Sequence, residues 1–429
     1  MRALGSHAAP WVAGTSPAMT KVGMTATTYT PDSRYAWLRL VISLVLATVS
    51  GIGLWASVVV LPLIQTEFGL DRAGASLSYT VTTIGFALGG VFMGRLADKF
   101  GITVPLFVGA ISLGIGFILS ALSQNYVQFL ILQALPIGFL GSSAAFGPLI
   151  ADVSQWFLKR RGIAVAIVAS GSYGAGAIWP PLMQQGIAVY GWRPVYIVIG
   201  LICVATIMPL ALLLRRRPVF DDRASPASNR EGNAGLLPKP PFLYPLLIVA
   251  GLACCVAMSM PQVHIVAYCS DLGYGVARGA EMLSLMLGFG VVSRLASGFI
   301  ADRIGGAGTL LLGSFLQCLA LLFYIPFDGL ASLYIVSAFF GLAQGGIVPS
   351  YALIVRDHYP ARQAGTRISL VMTATVLGMA LGGWMSGKIF DLTGSYQAAF
   401  LNGIAFNLLN MAIAFWLVMG RRRKPAFAT

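Results

Sequence analysis

"GRLADKFG" (Gly94–Gly101) closes one long apolar run and "GFIADRIG" (Gly298–Gly305) closes another, about 204 residues later. Both octets carry Gly, then Ala-Asp, then a cation, then Gly. A polar signature returning after so long an interval marks an internal repeat. Fainter echoes keep nearly the same interval. "WFLKRRG" (Trp156–Gly162) pairs with "HYPARQAG" (His358–Gly365), and "YGWRPVY" (Tyr190–Tyr196) with "LTGSYQAAF" (Leu392–Phe400).

The runs between these punctuation points are long enough to cross a bilayer as helices. Twelve are predicted, at roughly 38–62, 74–97, 103–123, 126–157, 162–187, 193–214, 242–270, 277–301, 307–326, 331–356, 366–388 and 397–419. Hydrophobic residues make up 57% of the 429-residue chain and charged residues only 10%. That composition excludes a water-soluble domain, which needs more charge to cover its surface. The expected fold class is an all-α polytopic membrane protein with twelve transmembrane helices in two six-helix pseudo-repeats. Fifty glycines fit it, because small residues let membrane helices approach closely.

The net charge of +14 invites a nucleic-acid reading, but the cations sort by loop. One side collects Arg95, Lys99, Lys159, Arg160, Arg161, Arg215–Arg217, Arg303, Arg356, Arg362, Arg367 and Arg421–Lys424. The other has Arg72, Arg193, Arg278 and Lys388. Such asymmetry orients a membrane protein and predicts both termini in the cytoplasm, at a cell membrane, with no nucleic-acid partner. The domains expected are a polar tail at 1–36, a six-helix bundle at 37–214, a Pro- and Arg-rich cytoplasmic linker at 215–241, a second bundle at 242–420 and a basic tail at 421–429. No apolar stretch precedes Trp37, so no cleaved signal peptide is expected. Cys203, Cys254, Cys255, Cys269 and Cys318 lack metal-ligand spacing and are expected as buried free thiols. No metal and no cofactor is implied.

"GRLADKFG" resembles the loop signature of the major facilitator superfamily, Gly-x-x-x-Asp-Arg/Lys-x-Gly. The resemblance implies two bundles rocking around a central site and a secondary transporter rather than an enzyme. Gly94, Asp98, Lys99 and Gly101 fall on the signature in the first half, and Asp302 and Arg303 in the second. An Asp at a helix end, near basic loop residues, can latch one conformation through charge-assisted contacts. Asp152, Arg160 and Arg161 join this gating set; Asp152, shortly before the Trp156–Arg161 stretch, is expected to latch, to pair with that basic loop or to face cytoplasmic water. "PLIADVSQWFLKRRGIAVAIVASGSYGAGAIWPPLMQ" (Pro148–Gln184) resembles, more narrowly, the oxalate/formate antiporter and monocarboxylate transporter branch. "LPLIQTEFGLDRAGASLSYT" (Leu61–Thr80) and "QVHIVAYCSDLG" (Gln262–Gly273) resemble it too.

Arg294 stands among Val291, Val292, Leu295 and Ala296. It lies eight residues before Asp302, taken as the end of its helix, which puts it roughly 12 Å into a core about 30 Å thick. A charge there costs at least a few kcal/mol unless it faces protein or water, so it either snorkels or serves a ligand. A guanidinium holds a carboxylate through a rigid two-pronged fork. In the branch named above an arginine occupies this place, and the resemblance implies that Arg294 binds the substrate's carboxylate. The chain departs from that branch at three points. Gly290 stands where animal monocarboxylate transporters have Asp, and neither Val41–Leu61 nor Ile368–Gly387 contains a Lys. One cation rather than two favours a monocarboxylate over a dianion.

His264 and Tyr268 share a helix face and, with Asp271 and Gln262 nearby, suit either a proton shuttle or a bond between helices. Gln344 and Tyr351 flank the "GGIVPS" segment, whose glycines and proline soften a span near substrate. The expected partners are a small carboxylate, protons and the bilayer, for a monomeric carrier working by symport or exchange. Dicarboxylate exchange and drug efflux are the competing cargoes.

Overall fold

The structure is a computed structural model that describes residues 32–157, 160–216, 242–359 and 361–422. Most of the predicted tails and of the linker fall outside the described residues, as does the side chain of Arg161. The described chain is all helical: α1 (Arg34–Ser50), α2 (Ile52–Glu67), α3 (Arg72–Phe100), α4 (Thr103–Ala121), α5 (Tyr126–Leu132), α6 (Gly147–Trp156), α7 (Arg161–Ala169), α8 (Gly171–Tyr190) and α9 (Trp192–Leu213) in the N-terminal segment. The C-terminal segment holds α10 (Leu243–Asp271), α11 (Val276–Phe323), α12 (Leu330–Gln344), α13 (Ile347–His358), α14 (Ala361–Thr393) and α15 (Tyr396–Arg422). Eleven helical stretches among the described residues are long and apolar enough to cross a membrane. The protein is a multi-pass membrane protein.

Local chemistry sets the ends. Ser33 caps α1 by accepting from the Ala36 amide, Asp71 caps α3 at Gly74 and Asn125 caps α5 at Gln128. Between α5 and α6 the chain widens into a π-type turn at Gln133–Gly141, which contains Pro136. Proline lacks the N–H that a regular turn would use, and separately its carbonyl accepts from the Ser112 hydroxyl at 3.0 Å. α12 and α13 are parted at Gly345 and Gly346, within the stretch read as softened.

The first span is divided at Gly51, which keeps right-handed helical dihedrals. α11, 48 residues long, breaks at Gly305, at φ 77° and ψ 169°, between the spans read at 277–301 and 307–326. The helix that carries Arg294 thus runs on past Asp302 to that break. A straight helix of that length would measure about 72 Å, far more than the bilayer core. From Val276 to Arg294 is about 27 Å and from Arg294 to Gly305 about 16 Å, so Arg294 still lies well inside the span.

The repeat has a backbone counterpart. Gly69, Gly101 and Gly191 have φ of 63°, 87° and 80°; Gly273, Gly305 and Gly394 have 82°, 77° and 70°. Each of the second set lies 203 or 204 positions after its counterpart. A side chain resists this conformation, so glycine holds the turn in both copies.

The buried apolar residues form two clusters. One lies wholly within 36–214. The other gathers the C-terminal segment and takes in Trp55, Tyr79 and Tyr173 from the N-terminal one. All five cysteines are buried and free.

Candidate functional site

Arg294 lies on α11 where that helix meets α7 and α8. The approach is close because Gly176 has no side chain: a Cβ there would stand 2.1 Å from the Leu287 Cδ1. Ser284 donates to the Ala177 carbonyl across the same seam. Trp55 donates from α2 to the Ser172 carbonyl at 3.0 Å and steadies α8. Within this frame the half-buried Arg294 donates through Nη1 to the Ala169 carbonyl at 2.9 Å. Its guanidinium carbon lies 4.2 Å from the centre of the Tyr173 ring, a cation–π contact. Its Nε is buried without a hydrogen-bond partner, and among the described residues no carboxylate pairs with it.

One turn before Arg294, Gly290 leaves room. A Cβ there would lie 3.5 Å from the Gln344 Nε2 and 3.7 Å from the Tyr173 ring. Gln344 is fully buried, and its Oε1 accepts from the Gln262 Nε2. Its own Nε2 has no partner. The surroundings of Gly290 therefore bring together a guanidinium stacked on Tyr173 and a side-chain amide, each with a donor that has no partner. Such a surface attracts an anion with acceptor oxygens.

The other residues singled out lie elsewhere. Tyr351 donates to the Asn410 Oδ1 at 2.8 Å inside the C-terminal cluster. His264 is fully buried, and its Nε2 lies 2.7 Å from the Gly383 carbonyl. A carbonyl only accepts, so Nε2 carries the proton, and Nδ1 accepts from the Tyr396 hydroxyl at 3.1 Å. Tyr268 packs edge-on against Tyr396 and Phe400. His264 and Tyr268 thus face α14 and α15. In the structure they belong with Arg72, which lies over the Phe390 and Tyr396 rings at 4.9 and 5.9 Å.

Arg72 joins the two segments. Its guanidinium contacts both oxygens of Asp271 at 2.8 Å. Asp391, at the end of α14, accepts from the backbone amides of Arg72 and Ala73, each at 2.8 Å, and so caps α3 from the other segment. The opposite end of α3 carries the signature loop. There Asp98, Lys99, Asp302 and Arg303 are exposed, and neither aspartate has an ion-pair partner among the described residues. Lys99 lies over the Phe100 ring, and nothing would meet a Cβ at Gly94. One end is clasped and the other unclasped.

Among the described residues Asp152 pairs with no cation of the Trp156–Arg161 stretch, of which Leu158, Lys159 and the Arg161 side chain lie outside the description. The partner of Asp152 is Arg39 of α1, held through two contacts of 2.7 Å, with the two side chains 1% and 11% exposed. Arg39 also donates to the Arg216 carbonyl and lies over the Trp156 ring. Arg160 lies over the Trp37 ring, 5.9 Å from its centre. A cavity of about 240 Å³ opens beside this pair, lined by Asp98, Thr103, Gln155 and Arg215 among others. Arg39, Arg72 and Asp391 were not singled out from sequence. The signal for Arg39 is a cation inside the apolar "YAWLRLVISL", as conspicuous there as Arg294 is in its own span.

The described chain thus combines long apolar helices, a small-residue seam between two segments, a half-buried cation at that seam and a clasp at one end. The model of the Major Facilitator Superfamily matches residues 43–334 and 309–429, and the chain belongs to that family. It is 25% identical over 395–401 residues to monocarboxylate transporter 13 of cattle and of rat, with 90% of each chain covered. It is 26% identical over 338 residues to the MFS-type transporter pynF of Aspergillus niger, with 76% of each covered. A bacterial homologue of the human lysosomal transporter Spinster, solved inward-facing and unoccupied, superposes with a TM-score of 0.69 at 14% identity, covering 91% of this chain and 98% of that one. The protein is a secondary transporter of small solutes, not an enzyme.

Proposed function

We propose that the protein moves a small organic monocarboxylate across a cytoplasmic membrane by alternating access. The observation that carries the reading is Arg294, a cation well inside the span with an unpartnered Nε and, among the described residues, no counter-ion. Leaving such a charge unpaired is costly in a low dielectric, and a substrate carboxylate offsets that cost. The likeness to monocarboxylate transporter 13 supports the same branch. The break at Gly305 within α11 supports a reading of twelve spans, six on each side of the linker. The paired glycines support two pseudo-repeats.

The basic loops put the signature end and both termini in the cytoplasm. The Arg72 clasp then closes the outer side, while Asp98 and Asp302 are free to latch in the outward-facing state. The carrier works as a monomer.

The test is uptake of labelled carboxylates into proteoliposomes, with and without an inward proton gradient, for wild type and Arg294→Ala. Saturable monocarboxylate uptake that the substitution abolishes in a folded protein supports the reading. Equal uptake by both removes it, and uptake of oxalate alone assigns dianion exchange instead. Stimulation by the gradient separates symport from exchange.

A further inference from the structure

The glycine turns give the repeat a register fine enough to compare single residues. α2 ends on Glu67, two positions before Gly69, and α10 ends on Asp271, two positions before Gly273. Arg193 stands two positions after Gly191, and Tyr396 two positions after Gly394. In the first half these counterparts pair. Arg193 contacts the Glu67 Oε1 through Nη2 at 2.5 Å and through Nε at 3.2 Å. Its Nη1 donates to the Ala121 and Ser123 carbonyls at 2.6 and 3.0 Å, so acid and cation are fixed within one half. In the second half Tyr396 takes the cation's place. Among the described residues Asp271 has no ion pair with a cation of its own half, and its partner is Arg72.

Two more departures from the repeat lie at the same place. Arg72 stands three positions after Gly69, and its counterpart after Gly273 is Val276. Asp391 stands three positions before Gly394, and its counterpart before Gly191 is Ala188. Asp391 accepts from the Arg72 amide, and the Arg72 guanidinium lies over the Tyr396 ring. Positions at which the halves differ are thus the ones that join them.

We propose that the clasp is the repeat's acid–cation pair with its cation moved to the opposite half: Tyr396, by withholding a cation from Asp271, leaves that carboxylate to Arg72 and makes the pair a gate. The inference rests on the reading of the clasp as the outer closure and adds which residue gives it that role. Were each half to hold its own acid, as Glu67 is held, parting them would break no such pair. With the cation across the seam, parting breaks Arg72–Asp271 and leaves Arg193–Glu67 intact. Asp271 is 35% exposed, so water takes over the carboxylate as the pair parts. Ion pairs so exposed are weak, which suits a contact broken in every cycle.

The test uses the full chain in proteoliposomes, spin-labelled at Tyr190→Cys and Leu392→Cys, exposed positions beside the Gly191 and Gly394 turns. The five native cysteines are buried and stay unlabelled. Tyr396→Arg supplies Asp271 with a cation from its own half and is expected to lose the closed peak of the distance distribution, as Arg72→Ala does. Tyr396→Leu removes the ring without supplying a cation and is expected to keep that peak. Glu67→Gln is expected to leave the distribution unchanged and Asp271→Asn to lengthen it. Both acids are about a third exposed, so these two variants test the inference even where Tyr396→Arg fails to fold.

A closed peak kept in Tyr396→Arg, or lost equally in Tyr396→Leu, overturns the inference. So does a Glu67→Gln protein that opens as far as Asp271→Asn. A closed peak kept in both Arg72→Ala and Asp271→Asn instead removes the gate reading on which the inference rests.

Discussion

The Arg72 guanidinium holds both oxygens of Asp271 at 2.8 Å and ties α3 to α10 across the two segments. Arg72 is 7% exposed and Asp271 35%, so one partner is dry and the other reaches the surface. Asp391 adds a second tie by capping the α3 N-terminus from α14. These contacts must break before that end can open. Arg72→Ala and Asp271→Asn are therefore expected to favour the open clasp. In a double-mutant cycle the pair should couple by about 1–2 kcal/mol, less than a fully buried pair. Spin labels placed at that end of α3 and α10 would report the shift as a longer distance distribution. An unchanged distribution would show that the clasp does not set the resting state.

Gly387 brings α14 and α3 together at the same end. A Cβ there would lie 2.9 Å from the Arg72 carbonyl and 3.0 Å from the Ala73 Cα, both backbone atoms that have little room to yield. Gly387→Val should separate the helices and mimic the loss of Arg72. Accessibility of a cysteine introduced nearby should rise severalfold. Wild-type accessibility would mean that the helices slide past the added bulk.

Arg39 and Asp152 form a deeper pair. Removing one partner strands the other in low dielectric, which typically costs about 3–5 kcal/mol. Asp152→Asn should lower the melting temperature in detergent markedly, and Arg39→Leu with Asp152→Leu together should recover part of the loss. A double variant no better than the worse single one would assign the stability to hydrogen bonds rather than charge.

At Arg294 the shape of the cation matters as well as its sign. A lysine keeps the charge but loses the planar fork and its stacking on Tyr173. Arg294→Lys is expected to reduce uptake at least about tenfold. Tyr173→Phe should retain more uptake than Tyr173→Leu, because it keeps the ring face. Initial-rate uptake decides both, and a fully active Arg294→Lys would show that charge alone suffices.

His264 bridges Gly383 and Tyr396 through both nitrogens. A glutamine can donate to the one and accept from the other. His264→Gln should therefore retain exchange of substrate, whereas His264→Leu orphans both groups and lowers stability by about 2 kcal/mol. Loss of gradient-driven uptake with exchange intact in His264→Gln would mark it as the proton carrier.

The apolar runs, the sorting of cations by loop and the repeated octet are enough to specify a polytopic helical protein. Hydropathy and charge act residue by residue, so their pattern is written along the chain. Arg294 was legible for the same reason: a charge is conspicuous within an apolar run wherever the helix packs. Partnership was not legible. Arg72 and Asp271 are 199 positions apart and Arg39 and Asp152 are 113 apart, and helix packing alone decides which charges meet. The same packing turned His264 toward Gly383 and Tyr396 and left the Gln344 Nε2 without a partner. The sequence by itself determined what the helices are and which end carries the cations. The tertiary structure decided which buried polar groups are satisfied within the protein and which are left for a ligand, because hydrogen bonds depend on ångström-scale geometry that sequence spacing does not carry.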